Sequence, residues 1–345
     1  MPYPTTHPFF DAPPLCVEDI VAATNRLVRG RLLESLDHHN DWRVVKDSGI
    51  SGKAVTELPG LVAGDPAAPA RRVGVTMTLT EHTIELARAI QIDAVVVHHP
   101  VADAASSGGV ELVHYLSLYG ISVIECHEAL HGLHPGIAWL HGHTADTTDA
   151  RYDGVDGMVV TIGRPHDDIV VAGDVLRRVE HLTGRPTEVA VGEAEASVRR
   201  VSSVADSCTA PRPRMIVGTE DDKLGDLVAH VYPHTGFGAA QLRSLRESLP
   251  SISSVIVSIS TVADDDDLAR ECAAAGLPLI SGSLHSYEII ENGVPLAFAL
   301  QHILPEVEVL LLRERVTALP LDGLGDDVSA YGHQMAQHLI ERALP

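Results

Sequence analysis

The chain has 345 residues, with 25 Lys+Arg against 47 Asp+Glu, 20 histidines and a formal net charge of −22. That balance argues against a binder of nucleic-acid phosphates, which normally presents a basic stripe, while 45% hydrophobic residues suffice for a buried core and the length suits about two domains. No apolar run approaches the roughly 20 residues that cross a bilayer, and Met1-Pro-Tyr-Pro-Thr-Thr-His7 lacks the basic and apolar regions of an export signal, so the expectation is a cytoplasmic protein with no membrane partner.

Residues 1–39 read as an N-terminal extension with one helix: between Val17 and Leu36, Ile20, Val21, Ala23, Leu27 and Val28 fall near one face. Gly52 to Pro69 reads as loop and short strand, and Arg72-Val-Gly-Val-Thr-Met-Thr78 as a strand. A helix over Glu81–Ile90, capped by Thr80, leads to a buried strand over Ile92–Val97 that runs straight into His98-His99-Pro100. Val110–Tyr119 is the next helix, Gly120 its stop, and Ile121–Cys126 the next strand, followed by a loop at His127-Glu-Ala-Leu-His131.

Strand and helix alternating in this way imply an α/β fold with a mainly parallel sheet, whose ligands sit beyond the carboxyl ends of the strands. Both histidine clusters fall there. Residues 63–73 align without gaps against 191–201, which suggests two related lobes, one over 40–160 and one over 161–345 with an insertion around 209–250. Asp264 to Asp267 reads as the acidic first turn of a helix rather than a calcium loop. Cys16, Cys126, Cys208 and Cys272 form no C-x-x-C, so neither a disulfide scaffold nor a zinc ribbon is expected.

Three local patterns could carry chemistry. His98-His99 at a strand end can address two metal ions, and it equally suits one packed and one exposed histidine. His127 and His131 are four apart, with His134, His141 and His143 following. His302 and Glu306 are also four apart, a spacing that serves a metal or an ordinary surface contact.

Together the three patterns resemble the GTP cyclohydrolase 1 type 2 homologues, or NIF3-like proteins. That family has a strand ending in His-His-Pro, a strand ending in His-Thr-Asn-Leu-Asp, and a terminal Gly-His-x-x-x-Glu. Here these stand as His98-His99-Pro100, His127-Glu-Ala-Leu-His131 and Gln301-His302-Ile-Leu-Pro-Glu306, and Ser281-Gly-Ser-Leu-His-Ser-Tyr287 resembles the family's Thr-Gly-Asp/Glu segment. The resemblance implies two related α/β lobes with a metal site between them, holding two divalent transition-metal ions per chain (Zn, Fe, Mn, Co or Ni). It nominates His98, His99, His131, His302 and Glu306 as metal ligands and His127 and Glu128 as proton carriers, with Glu125 and His285 nearby.

The activity implied is hydrolysis of a C–N bond in a purine-type or other heterocyclic or amide substrate, a small molecule such as a nucleotide, by a homohexamer. A metal carrier or regulatory protein without turnover would use the same ligands. Arg212 and Arg214 are the cations nearest to a phosphate-binding role. This chain departs from the family at His131, where the family has Asp, at Gln301 for Gly, at Ser283 for an acid and at Tyr287 for His.

Overall fold

The structure, a computed structural model, describes residues 14–32, 44–50, 53–101, 104, 109–130, 133–151, 159–199, 212–313, 321 and 326–343. Two compact units divide the chain, one of Met1–Ile137 with Glu288–Glu314 and one of Ala138–Tyr287 with Arg315–Pro345. Among the described residues no helix is long and apolar enough to cross a membrane.

The first unit is built on a five-stranded sheet in the order Glu308–Leu311, Arg72–Thr76, Ala94–Val97, Ser122–Glu125, Gly60–Ala63. The first four strands are parallel and Gly60–Ala63 closes one edge antiparallel. Alternation along the strands sends Val73, Val75, Ala94, Val96 and Ile124 to one face, where the helices Val17–Leu27 and Val294–Ile303 supply Val17, Ile20, Leu296 and Leu300. Val95, Val97 and Val123 go to the other face, under Ile84 and Ala87 of Glu81–Ala89 and Leu112 and Leu116 of Leu112–Tyr119. A sheet covered on both faces needs strands apolar on both sides, which is why Ala94-Val-Val-Val97 carries no polar alternation.

The helix signals act as expected. The Thr80 hydroxyl accepts the Thr83 N–H at 3.3 Å, and Gly120 ends its helix in the left-handed region at φ 63°. One local reading changes: His127–Leu130 is a single helical turn, not a loop, because the Leu130 N–H reaches back to the Cys126 carbonyl at 3.0 Å.

The second unit carries a six-stranded mixed sheet in the order Arg214–Val217, Leu279–Leu284, Ile252–Ile259, Leu227–Val231, Val159–Pro165, His143–Arg151. Its middle pairings, Leu227–Val231 with Ile252–Ile259 and Ile252–Ile259 with Leu279–Leu284, are parallel, and the outer ones antiparallel. The helix Ala172–Leu182 packs Val175 and Val179 against Val228, Ile256 and Ile280. Ala239–Ser248 and Asp267–Ala275 cover the other face with Leu242, Leu268 and Cys272.

Asp266 caps the latter helix by accepting the Leu268 N–H at 2.8 Å, so the acidic run is a helix start. Arg214 pairs with Asp264 at 2.7 Å on the surface. The match between 63–73 and 191–201 is not a structural repeat. The first segment is turn and strand, whereas residues 191–199 belong to the helix Arg185–Arg199, and alanine-rich segments align through composition alone.

Candidate metal centre

His98 and His99 are set by the register of two neighbouring strand ends. As Ala94–Val97 finishes, the His98 N–H reaches the Thr76 carbonyl at 3.1 Å and the His99 N–H the Met77 carbonyl at 2.8 Å. The chain turns there, so two residues that would face opposite ways on a strand bring their ring centroids within 5.3 Å.

Between them stands Glu288. Its Oε1 lies 3.3 Å from His98 Nε2 and its Oε2 2.9 Å from His99 Nε2. Glu288 precedes Ile289–Gly293, a five-residue π-helical turn that leads into the helix Val294–Ile303. Such wide turns displace a side chain from the regular helical position and recur at functional sites. The Asn292 amide, four residues on, donates to Glu288 Oε1 at 3.2 Å and fixes the carboxylate plane. Gly293 is closely packed in this turn: a methyl there would fall 2.5 Å from Ile289 Cδ1 and 3.0 Å from Met77 Cε.

One donor atom from each of His98, His99 and Glu288 lies within 4.8 Å of the others, with His98 and Glu288 buried. This donor set fits a divalent transition ion: imidazole nitrogens for borderline metals, and one buried carboxylate whose two oxygens face two different rings. His99 Nδ1 lies 2.7 Å from Thr78 Oγ1. A hydroxyl both donates and accepts, so Thr78 can satisfy His99 Nδ1 in either tautomer, including the Nδ1–H form required when Nε2 ligates.

His127 opens the turn after Ser122–Glu125, and its ring stands edge-on to His98 at 4.9 Å and to His99 at 5.8 Å. Its Nδ1 lies 3.0 Å from Glu57 Oε2, and Glu57 is only 2% exposed.

Residues 51–208 match the model of the Duf34/NIF3 family, NGG1p interacting factor 3. Over that stretch the chain is similar to the NIF3 family. Its fold is similar to Staphylococcus aureus protein SA1388, at 13% identity with a TM-score of 0.56 over 89% of this chain and 99% of that one. A Bacillus cereus protein related to NIF3 matches at 11% identity, TM-score 0.55, over 90% and 100%. Reduced HcgD from Methanocaldococcus jannaschii matches at 14%, TM-score 0.52, over 86% and 98%. At these identities the likeness is one of fold. No curated protein matches the sequence.

Of the ligands nominated from NIF3-like patterns, the structure brings together His98 and His99 and sets His127 beside them. His131 lies outside the described residues, as does the side chain of Glu128, whose backbone is in the His127–Leu130 turn. His302 and Glu306 are exposed and do not join the group formed by His98, His99 and Glu288.

Gln301, at the position where the resemblance has glycine, is tied back to the chain that follows. Its side-chain amide donates to the Val307 carbonyl at 2.7 Å and accepts the Val309 N–H at 3.0 Å. Leu300 and Leu304 take the buried positions of this turn, and His302 between them is exposed.

Glu288 and Glu57 are the residues sequence reasoning passes over. Glu288 follows Tyr287 and, with Glu291, opens a largely apolar helical stretch, with no histidine at metal-ligand spacing beyond His285 to mark it. Glu57 closes a short strand and has no pattern around it.

Glu125, considered as a site residue, is a strap within the first unit. It is fully buried, and its two oxygens accept the Leu58 N–H and the Val101 N–H, each at 2.8 Å. Glu125→Gln turns an N–H toward one of these donors. It is expected to cost about 1–3 kcal/mol in urea unfolding at an unchanged slope, with metal uptake retained. Burial, with the Glu125 charge beside it, pushes the adjacent Cys126 thiol up to about 12.

His141 and His143 belong to the second unit and meet His230 there, buried. His143 Nε2 lies 3.0 Å from His230 Nδ1, and His230 Nε2 lies 2.7 Å from Ser258 Oγ. His141 Nε2 accepts the Ser283 N–H at 2.9 Å. Among the described residues His143 Nδ1 has no hydrogen-bond partner; it faces Gly163, where a Cβ would lie 2.3 Å away. A buried N–H without acceptor costs more than an unused lone pair, so the proton sits on His143 Nε2 and donates to His230, which donates to Ser258.

Proposed function

We propose that this chain is a metal-dependent hydrolase that opens a C–N bond in a purine-type or other heterocyclic or amide substrate. The observation that supports it most is Glu288 set between His98 and His99, with the His127–Glu57 pair alongside. His98, His99 and Glu288 would hold the metal, and the divergent carboxylate oxygens suit two ions per chain. A divalent ion held there supplies Lewis acidity, polarising the scissile group and bringing a water near neutrality in pKa.

The chain's own part is positional and protic. Glu288 and Asn292 keep the carboxylate aimed at both rings, and Thr78 orients His99. His127, its Nδ1 tied to Glu57, holds at Nε2 the lone pair that takes a proton and returns it to the leaving nitrogen. In this reading Glu128 stands beside it as an alternative carrier, and the protein works in the cytoplasm as a homohexamer on a small molecule such as a nucleotide.

The test begins with elemental analysis of protein purified without chelator. Less than about one metal per chain would overturn the metal reading. Metal-loaded protein is then screened against purine nucleotides and cyclic amides. Turnover that disappears in His98→Ala supports the hydrolase, whereas bound, exchangeable metal with no turnover in any substrate assigns the chain to the carrier class instead.

A further inference from the structure

Glu57 has no counterpart among the patterns that point to the site, yet it is buried and its Oε2 lies 3.0 Å from His127 Nδ1. A carboxylate only accepts, so the hydrogen of this pair is on the histidine. A neutral imidazole carries one ring hydrogen. Placing it on Nδ1 leaves Nε2 as the only basic nitrogen of His127, on a ring whose edge meets His98 at 4.9 Å and His99 at 5.8 Å.

We propose that Glu57 is a positioning residue: it locks His127 in the Nδ1–H tautomer and fixes the ring plane, so that Nε2 is the nitrogen offered to the reacting groups. This rests on the metal-site reading for its purpose but not for its geometry. The strand Lys53–Glu57 brings the carboxylate, and the helical turn His127–Leu130 brings the ring. The lock therefore joins two segments far apart in sequence and is absent from either alone. The arrangement follows the general rule that a carboxylate beyond an imidazole decides which nitrogen faces a reactive site.

The experiment is long-range proton–nitrogen NMR of the imidazoles in the full chain at about pH 8, where an ordinary histidine is neutral. It is run on metal-free and zinc-loaded protein, with His127 assigned by its loss in His127→Gln. Wild type is expected to show His127 as the Nδ1–H form alone. Glu57→Ala is expected to lose that resonance in favour of Nε2–H. Glu57→Gln, whose carbonyl still accepts from Nδ1, is expected to retain it in part.

A wild-type His127 in the Nε2–H form overturns the proposal whether or not the variants fold. So does a Glu57→Ala protein, folded by circular dichroism, with an unchanged tautomer. Zinc stoichiometry on the same wild-type sample separates the two claims. No zinc with an intact Nδ1–H tautomer removes the metal reading alone; zinc bound to a His127 in the other tautomer removes the Glu57 proposal alone.

Discussion

Glu288→Gln is expected to weaken zinc or cobalt binding by more than about a hundredfold, beyond the loss usual for a residue that only orients a ligand. Glutamine keeps the shape of glutamate and removes its charge. In the group of His98, His99 and Glu288, the carboxylate is the one anion. An amide also presents an N–H₂ where Glu288 now presents oxygens to both imidazole nitrogens, at 3.3 and 2.9 Å. One of the two rings would then face a donor instead of an acceptor.

The measurement is metal content after desalting and competition with a chromogenic chelator, on Glu288→Gln, His302→Ala and Glu306→Ala in parallel. Retention of metal in the last two together with its loss in the first is the expected pattern. Loss in His302→Ala or Glu306→Ala with retention in Glu288→Gln would restore the ligand set that the family resemblance suggests. It would leave Glu288 as a hydrogen-bonding residue only.

Acid is expected to destabilise the protein through the buried imidazoles of the second unit. Burial, and then the neighbouring His141 and His166, lower the His143 pKa to about 3. Burial, with His141 and His143, lowers that of His230 well below its usual value. Folded, both rings stay neutral; unfolded, they take up protons near pH 6.5. Their contribution is therefore fully present above about pH 6.5 and shrinks as the pH falls, for His143 down to about pH 3.

The slope is up to about 1.4 kcal/mol per pH unit for each imidazole. Urea midpoints of metal-free protein between pH 7.5 and 4 check it, compared with His143→Gln, which has no titration to contribute. The wild-type curve is expected to fall more steeply than the variant's below about pH 6.5. Parallel curves would mean that His143 is protonated in the folded protein, and that the His143–His230–Ser258 chain is not ordered as its geometry indicates.

What was legible in the sequence is mostly what depends on neighbours along the chain. The Thr80 cap, the Gly120 stop and the Ala94–Val97 strand ending in His98-His99 are local, and a parallel sheet follows from their alternation. The single turn at His127–Leu130 is not legible in the sequence, because one backbone hydrogen bond decides it and side-chain pattern carries no record of that bond. The exposure of His302 is likewise not written in its spacing. A spacing of four puts His302 and Glu306 on one side of a turn but cannot say which side. The burial of Leu300 and Leu304 against the first unit's sheet takes the inward positions and leaves His302 exposed.

Composition, periodicity and the His98-His99 pair thus determine by themselves that this is an α/β protein with imidazoles at a strand's carboxyl end. Only the tertiary structure supplies the carboxylates. Glu288 arrives when the chain, after 150 residues of a second unit (Ala138–Tyr287), returns to the first, and Glu57 arrives from a strand 70 residues before its histidine. Metal ligation and tautomer control depend on distances of about 3 Å, and separation in sequence places no bound on separation in space once a sheet has assembled the strand ends. The 20 histidines and the charge of −22 announce abundant ligands. Which of them meet is settled by the register of Thr76 and Met77 against His98 and His99, and by the π-helical turn that delivers Glu288 between them.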